Sequence, residues 1–156
     1  MSSSSVKVQI KPDFRKINEE LKTAIGQALG LQLQAEQTEI KTRTRQGRDV
    51  DGAPFPDLSP SYKAFKVEKG RTGTPNLSFT GAMLQGMSSG VQRVGSALVG
   101  TITMGADQAA KALGHLTGTY FGKKTGKVRN FFGLSEKQKK RLIETINTAM
   151  TQPLHK

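Results

Sequence analysis

Cysteine and tryptophan are absent from this chain of 156 residues. Without cysteine the protein has neither disulfides nor a thiolate nucleophile, which excludes thiol chemistry. Long apolar runs are absent too, since none approaches the roughly 20 residues that a membrane-spanning helix needs. No signal-peptide core follows the polar start of the sequence. We therefore expect no membrane partner.

Hydrophobic residues are scarce, at 35% of the chain, and aromatic residues make up only 6%. Globular proteins average roughly 45 to 50% apolar residues, a figure that includes glycine. The length suits one core. We therefore expect a single domain over residues 1–156, with a modest core, a disordered, tag-like N-terminus at 1–5 and a good deal of loop.

Acidic residues are in deficit, which leaves a net charge of +12. Residues 105–156 alone carry 10 basic and 3 acidic groups. Such an excess favours a polyanionic partner or passage near nucleic acid, because each neutralised phosphate releases counterions. Plain solubility beside acidic neighbouring proteins is the equally weighted alternative.

Residues that support catalysis are also few. A metal site needs three or four ligands, and only His115 and His155 stand beside scattered carboxylates. The Gly-x-Ser-x-Gly motif of hydrolases is absent, and GKKTG at 122–126 lacks the spacing of a phosphate-binding loop. We predict no catalytic, cofactor-binding or metal-binding residues, no cofactor and no enzymatic activity. His115 is expected to pack or cap near a helix end.

The first half of the chain predicts a strand, a long helix and a long loop. Alternating apolar residues at 6, 8 and 10 predict a half-exposed edge strand. Asp13 then caps a predicted helix that runs to about Thr42. Residues 45–76, rich in proline and glycine, predict a long loop with one helical turn at 59–65. A loop of that length usually marks a functional or partner-ordered segment.

The second half predicts four short elements, a basic loop and a final helix. The short elements are a helix at 80–87, hairpin strands at 91–94 and 97–104, and a helix at 107–115. After the basic loop at 117–129, Ser135 and Gln138 form a capping-box pattern. The apolar face of the helix that follows consists of Leu142, Ile143, Ile146, Ala149 and Met150. The order predicts an α+β fold, in which a small antiparallel sheet packs against a long N-terminal helix and a C-terminal helix, with long extended loops.

Two groups of basic residues are candidates for contact with DNA. The candidates are Arg43, Arg45, Arg48, Lys123, Lys124, Lys127 and Arg129. The first three follow Lys41 near the end of the long helix, where a solvated face is the alternative interpretation. The others lie in or next to the basic loop, where Tyr120 and Phe121 are adjacent aromatics that suit base stacking. The alternative there is a mobile loop ordered by neighbouring subunits.

Four segments carry a resemblance to a known family. RQGRDVDGAPFPDLSPSYK at 45–63 resembles a family segment with the pattern D-G-x-P-F-x-x-L-S-x-x-Y, and NLSFTGAML at 76–84 is similar to L-x-x-T-G-x-L-x-x-S. Residues 109–118, with His115 and Gly118, are similar to Y-A-x-x-H-x-x-G without its aromatic. VRNFFGLS at 128–135 is similar to P-x-R-x-F-L-G-L-S without its leading proline. By their order and spacing, the chain resembles the virion morphogenesis or tail-completion family of tailed bacteriophages.

The resemblance implies a structural protein that forms a homo-oligomeric ring, expected to be a hexamer, at the head-proximal end of the tail. It implies as partners other copies of the chain, the tail tube protein, head–tail connector or neck proteins and, non-specifically, genomic DNA. The expected location is the tail or neck of the virion, reached from the host cytoplasm during assembly. The candidate subunit or partner contacts are Phe55, Leu58, Tyr62, Phe131 and Phe132. Packing within the subunit is the alternative for these residues, and a basic nucleic-acid-binding protein is the alternative function.

Overall fold

The computed structural model describes residues 5–10, 19–120 and 122–151. The elements are β1 (Ser5–Ile10), α1 (Glu19–Arg45), α2 (Pro60–Glu68), α3 (Ala82–Gln85), β2 (Met87–Val94), β3 (Ala97–Met104), α4 (Ala106–Thr117), β4 (Thr119–Tyr120), β5 (Lys123–Lys124) and α5 (Glu136–Thr151). The predicted α+β fold is confirmed, with a small antiparallel sheet beside a long N-terminal and a C-terminal helix.

The main sheet has three antiparallel strands in the order β1-β3-β2. The predicted hairpin is present, since Val94 pairs with Ala97 across Gly95-Ser96. Strand β2 is longer than predicted and begins at Met87, where its first residue pairs with Met104. Strand β1 is at an edge of the sheet, as its alternating pattern indicated.

Helix α1 lies across one face of this sheet. The side chains of Leu29 and Leu33 approach Gly100 so closely that a Cβ there would meet a Cδ of Leu33 at 2.5 Å. Glycine at that strand position lets the helix approach the sheet. The core between the sheet and the helices includes Ile25, Leu29, Leu33, Ile40, Ile102, Phe131, Leu142 and Ile146.

Helix α5 begins with the predicted capping box. The backbone N–H of Gln138 donates to the Ser135 hydroxyl at 3.3 Å, and the Gln138 side chain accepts from the Ser135 N–H at 3.0 Å. Leu142 and Ile146 are buried as predicted, but Ile143 is exposed. The prediction failed at Ile143 because the helix buries only the narrow stripe that meets α1.

Three predicted segments differ in the structure. Residues 45–76 contain the nine-residue helix α2, which continues beyond the single turn that was predicted. The loop at 117–129 contains the β4–β5 hairpin, and the short helix predicted at 80–87 is limited to α3 because β2 begins at Met87.

Some predictions fall at the margins of the described chain. Ser5, assigned to the disordered tag, belongs to β1, whereas Asp13 and Phe121 lie outside the described residues. Within the residues that the structure describes, no helix is both long enough and apolar enough to cross a membrane.

Candidate interaction surface

The segments at 47–57 and 127–133 are joined to each other by hydrogen bonds. The N–H of Val50 donates to the carbonyl of Asn130 at 2.8 Å. The Lys127 ammonium donates to the carbonyl of Asp57 at 2.6 Å, and the Arg129 guanidinium donates to the carbonyl of Pro56 at 3.1 Å. Both cations therefore hold the long loop to the body of the protein.

Arg43 belongs to a buried polar network between α1 and the start of α5. Its guanidinium donates to the Gln138 side chain at 2.6 Å and to the carbonyls of Phe131 and Gly133 at 3.1 and 2.6 Å. Gln138 in turn donates to the buried carboxylate of Glu36 at 2.7 Å. Burial lowers the pKa of Arg43, and the carboxylate of Glu39 is the main opposing influence.

Arg129 is buried without a carboxylate partner among the described residues. Its Nε, like those of Arg43 and Arg141, has no hydrogen-bond acceptor within that part of the chain. Burial lowers its pKa, and the interaction with Tyr62 partly offsets the effect. Burial of a cation without a carboxylate partner is unfavourable, and the hydrogen bond to the Pro56 carbonyl offsets part of this cost.

Residues 59–79, which we call the arm, form a separate excursion from the body. Ser59 caps α2 by accepting the N–H of Tyr62, and Pro60 occupies the first turn, where its missing N–H is not needed. Within the described residues, α2 has no extensive packing against another helix or strand. The arm rejoins the body near Pro75, whose carbonyl lies beside Gly47, and Leu77 packs against the core.

A buried lysine holds the arm in one shape. The Lys66 ammonium donates to the carbonyl of Thr74 at 2.8 Å and to the Asn76 side chain at 2.9 Å. The Asn76 amide donates to the hydroxyl of Thr72 at 3.2 Å. Burial lowers the pKa of Lys66, and the charge of Arg129 lowers it further. These contacts join α2 to the segment at 72–76, so the two sides of the arm are held together by hydrogen bonds within it.

The outer side of the arm carries stacked aromatic rings. The rings of Tyr62 and Phe65 have centroids 6.1 Å apart, and those of Phe65 and Phe79 are 5.7 Å apart with an interplanar angle of 9°. Tyr62, Phe65 and Val67 are 43%, 42% and 58% exposed. Exposed apolar groups gathered in one place are typical of interaction surfaces.

The five predicted contact residues fall into two classes. Phe55, Phe131 and Phe132 are buried within the subunit, so the structure corrects their assignment as partner contacts. Their rings belong to the hydrophobic core of the subunit. Leu58 is half-buried and Tyr62 is exposed, and only Tyr62 belongs to the aromatic face of the arm.

The seven basic candidates for contact with DNA differ in their exposure. Arg43 and Arg129 are buried, which corrects their assignment as DNA-facing, because their guanidinium groups donate to internal carbonyls. Lys127 is half-buried and holds Asp57. The exposed candidates are Arg45, Arg48, Lys123 and Lys124.

His115 packs near the end of α4, in keeping with its structural interpretation. Its ring meets Phe131 edge-on with centroids 6.4 Å apart, and its Nδ1 is hydrogen-bonded to the Tyr120 hydroxyl. Burial lowers the pKa of His115 to about 4, and the charges of Arg129 and Lys111 act in the same direction. Among the described residues, no three histidine, aspartate or glutamate side chains are grouped to hold a metal ion.

Sequence reasoning missed Phe65 and Phe79 as parts of a surface, and Lys66 as the buried residue that supports it. The signal that could have found them is the helical spacing of Tyr62 and Phe65 after the Ser59-Pro60 start signal. No local signal predicts the hydrogen bonds of Lys66, because its acceptors Thr74 and Asn76 are brought close only when the chain after α2 folds back.

Comparison of the chain with protein-family models, with curated proteins and with solved structures finds no match in any of the three.

Proposed function

We propose that this chain is a structural assembly protein of a tailed bacteriophage, a tail-completion, terminator or neck component. It forms a homo-oligomeric ring at the head-proximal end of the tail and joins tail to head around the DNA passage. The observation that carries the proposal is the arm, on which the exposed rings of Tyr62 and Phe65 stack on each other and on the half-buried ring of Phe79. A ring component needs such surfaces, because each subunit must contact its neighbours and the proteins above and below.

The segments that resemble the family support the proposal by lying together. The segment at 45–63 is hydrogen-bonded to the segment at 128–135 through Val50 and Arg129. The N–H of Arg129 also donates to the carbonyl of His115 at 2.8 Å, which brings in the segment at 109–118. The segment at 76–84 contributes Asn76, whose side chain accepts a hydrogen bond from Lys66 in the arm. Residues far apart in the chain thus form one structural unit.

Nucleic-acid binding is the second candidate function. The observation that favours it is the exposed pair Lys123 and Lys124 on the β4–β5 hairpin, within a chain of net charge +12. Two of the seven basic candidates are buried, which weakens this alternative as the main function. Non-specific contact with genomic DNA is compatible with the ring.

The first experiment is the solution mass of the purified protein by light scattering at two salt concentrations, with and without duplex DNA. The same preparation is then mixed with tail tubes assembled from the tube protein of the same source genome. We expect a ring-sized species, or a monomer that closes into a ring only on the tube ends. A stable monomer or dimer that binds DNA tightly at low salt and ignores the tubes would contradict the proposal.

A further inference from the structure

The arm carries three exposed basic residues, which we call its rim. Lys63, Lys69 and Arg71 are exposed there, and the arm has a single acidic residue, Glu68. Lys69 lies 3.7 Å from the Glu68 carboxylate and 5.8 Å from the centroid of the Phe65 ring. The charge of the rim therefore remains positive beside an exposed apolar centre.

The shape of this surface is fixed before any partner arrives. The hydrogen bonds of Lys66 to Thr74 and Asn76 hold the two sides of the arm together. The aliphatic part of Lys63 packs on Gly73, where a Cβ would lie 3.0 Å from it. A surface that is already ordered loses little conformational entropy on binding. Aromatic residues surrounded by charged groups are also the composition of energetically important interface centres.

Three kinds of partner could bind the arm: a second copy of the chain, duplex DNA or an acidic protein. A second copy of the chain that met this surface with its own arm would bring the same exposed Lys63, Lys69 and Arg71, and like charges repel across an interface. Duplex DNA matches the lysines but keeps its bases stacked inside the helix, so it offers little apolar surface to the three rings. An acidic protein surface supplies carboxylates for the rim and apolar side chains for the centre.

We propose that the arm is the docking surface for an acidic protein other than this chain, whose carboxylates pair with Lys63, Lys69 and Arg71. Its apolar side chains cover Tyr62, Phe65 and Phe79. This inference rests on the proposed function in that it identifies the kind of assembly partner that the arm receives.

The test places the photo-crosslinking amino acid benzoylphenylalanine at position 65 of the full chain, produced in the cells that naturally make it. Val67, which is also exposed, is a second labelling position in case the change at Phe65 disturbs the arm. Ile143, 59% exposed on α5, is the matched control. We expect one major adduct from position 65 or 67, whose crosslinked peptide carries more aspartate and glutamate than lysine and arginine. We expect no such adduct from position 143.

A charge reversal tests the rim. The triple variant K63E/K69E/R71E is expected to reduce the yield of the adduct roughly tenfold or more. The variant K137E/K139E/K140E changes the net charge equally on α5 and is expected to leave the yield unchanged. Equal losses in both variants would show that net charge, and not the arm, selects the partner, and would overturn the inference.

The identity of the adduct separates this inference from the proposed function. An acidic virion protein supports both, whereas an acidic protein foreign to virions supports the docking surface and contradicts the phage assignment. An adduct with a second copy of the chain overturns the inference and leaves the ring standing. An adduct with nucleic acid, or the lack of any adduct, overturns the docking surface. In both cases light scattering decides the ring separately.

Discussion

Arginine usually lies at the protein surface, but Arg43 is buried and contributes hydrogen bonds to the core. Lys41, Arg43 and Arg45 alternate along α1, and because side chains two apart on a helix point to different faces, they cannot share one environment. Arg45 is exposed, whereas Arg43 turns inward to Gln138. The sequence indicates that the three residues do not all have the same exposure. It does not indicate that Arg43 is the buried one, because its partner Gln138 is 95 residues away.

Replacing Arg43 with methionine should destabilise the protein by about 3 kcal/mol, because the Gln138 side chain and two backbone carbonyls lose their buried donor. The free energy of unfolding in urea measures the change. Arg45→Met removes the same group at an exposed position and should stay within about 0.5 kcal/mol of the unchanged protein. Equal effects of the two changes would contradict the buried network.

His115 makes stability depend on pH. Its pKa is about 4 in the folded protein, below the ordinary value of 6.5, so the unfolded chain takes up the proton first as the pH falls. Stability is therefore complete above about pH 6.5 and decreases between pH 6.5 and about 4. Partial exposure of the ring limits the total loss to about 3 kcal/mol or less.

The variant His115→Gln should flatten this part of the pH profile, because glutamine does not titrate. Unfolding in urea at a series of pH values between 4 and 7 measures the profile. The matched control Tyr120→Phe removes the hydroxyl that contacts Nδ1 but keeps the buried imidazole, so most of the slope should remain. A slope that survives in His115→Gln would assign the pH dependence to other groups.

Among the elements, those specified by local signals were predictable and those specified by distant contacts were not. The capping box at Ser135 and Gln138 involves residues three apart, and the hairpin turn involves two, so both were predicted. The continuation of α2 to Glu68 was missed because it is supported by Lys66, whose acceptors lie eight and ten residues further along the chain.

The contact between α1 and the sheet depends on a strand residue without a side chain. Gly100→Ala should destabilise the protein by about 1 to 3 kcal/mol, because the new methyl group would overlap Leu33 and press on Leu29. Thermal or urea unfolding measures the loss.

Gly90 is the control for this change, since it also lies in the sheet but a Cβ there would meet no atom within 4 Å. Gly90→Ala should leave stability unchanged or raise it by roughly 0.5 to 1 kcal/mol, because alanine loses less backbone freedom on folding. If both variants were equally unstable, the close approach of α1 to Gly100 would not be the reason.

At the scale of the whole molecule, composition predicts the net charge, and the fold decides which of the charged residues are exposed. The total of +12 is fixed by the sequence. Folding removes Arg43, Lys66 and Arg129 from the surface by burying them. The lysines of the β4–β5 hairpin and the basic residues of the arm remain exposed, so which cations reach the surface depends on the fold.

The hairpin should contribute directly to any non-specific contact with duplex DNA, because both of its lysines are exposed. Neutralising its two lysines in K123Q/K124Q should reduce the slope of log affinity against log salt by roughly 2, since each phosphate contact contributes about 0.9. The control K139Q/K140Q removes the same charge from α5, where these lysines face Glu136 and Glu144 at 2.5 and 4.0 Å. Because those carboxylates already compensate them, the slope should change little. Equal reductions in both variants would mean that DNA responds to net charge alone, and an unchanged slope in K123Q/K124Q would remove the hairpin from the DNA-facing surface.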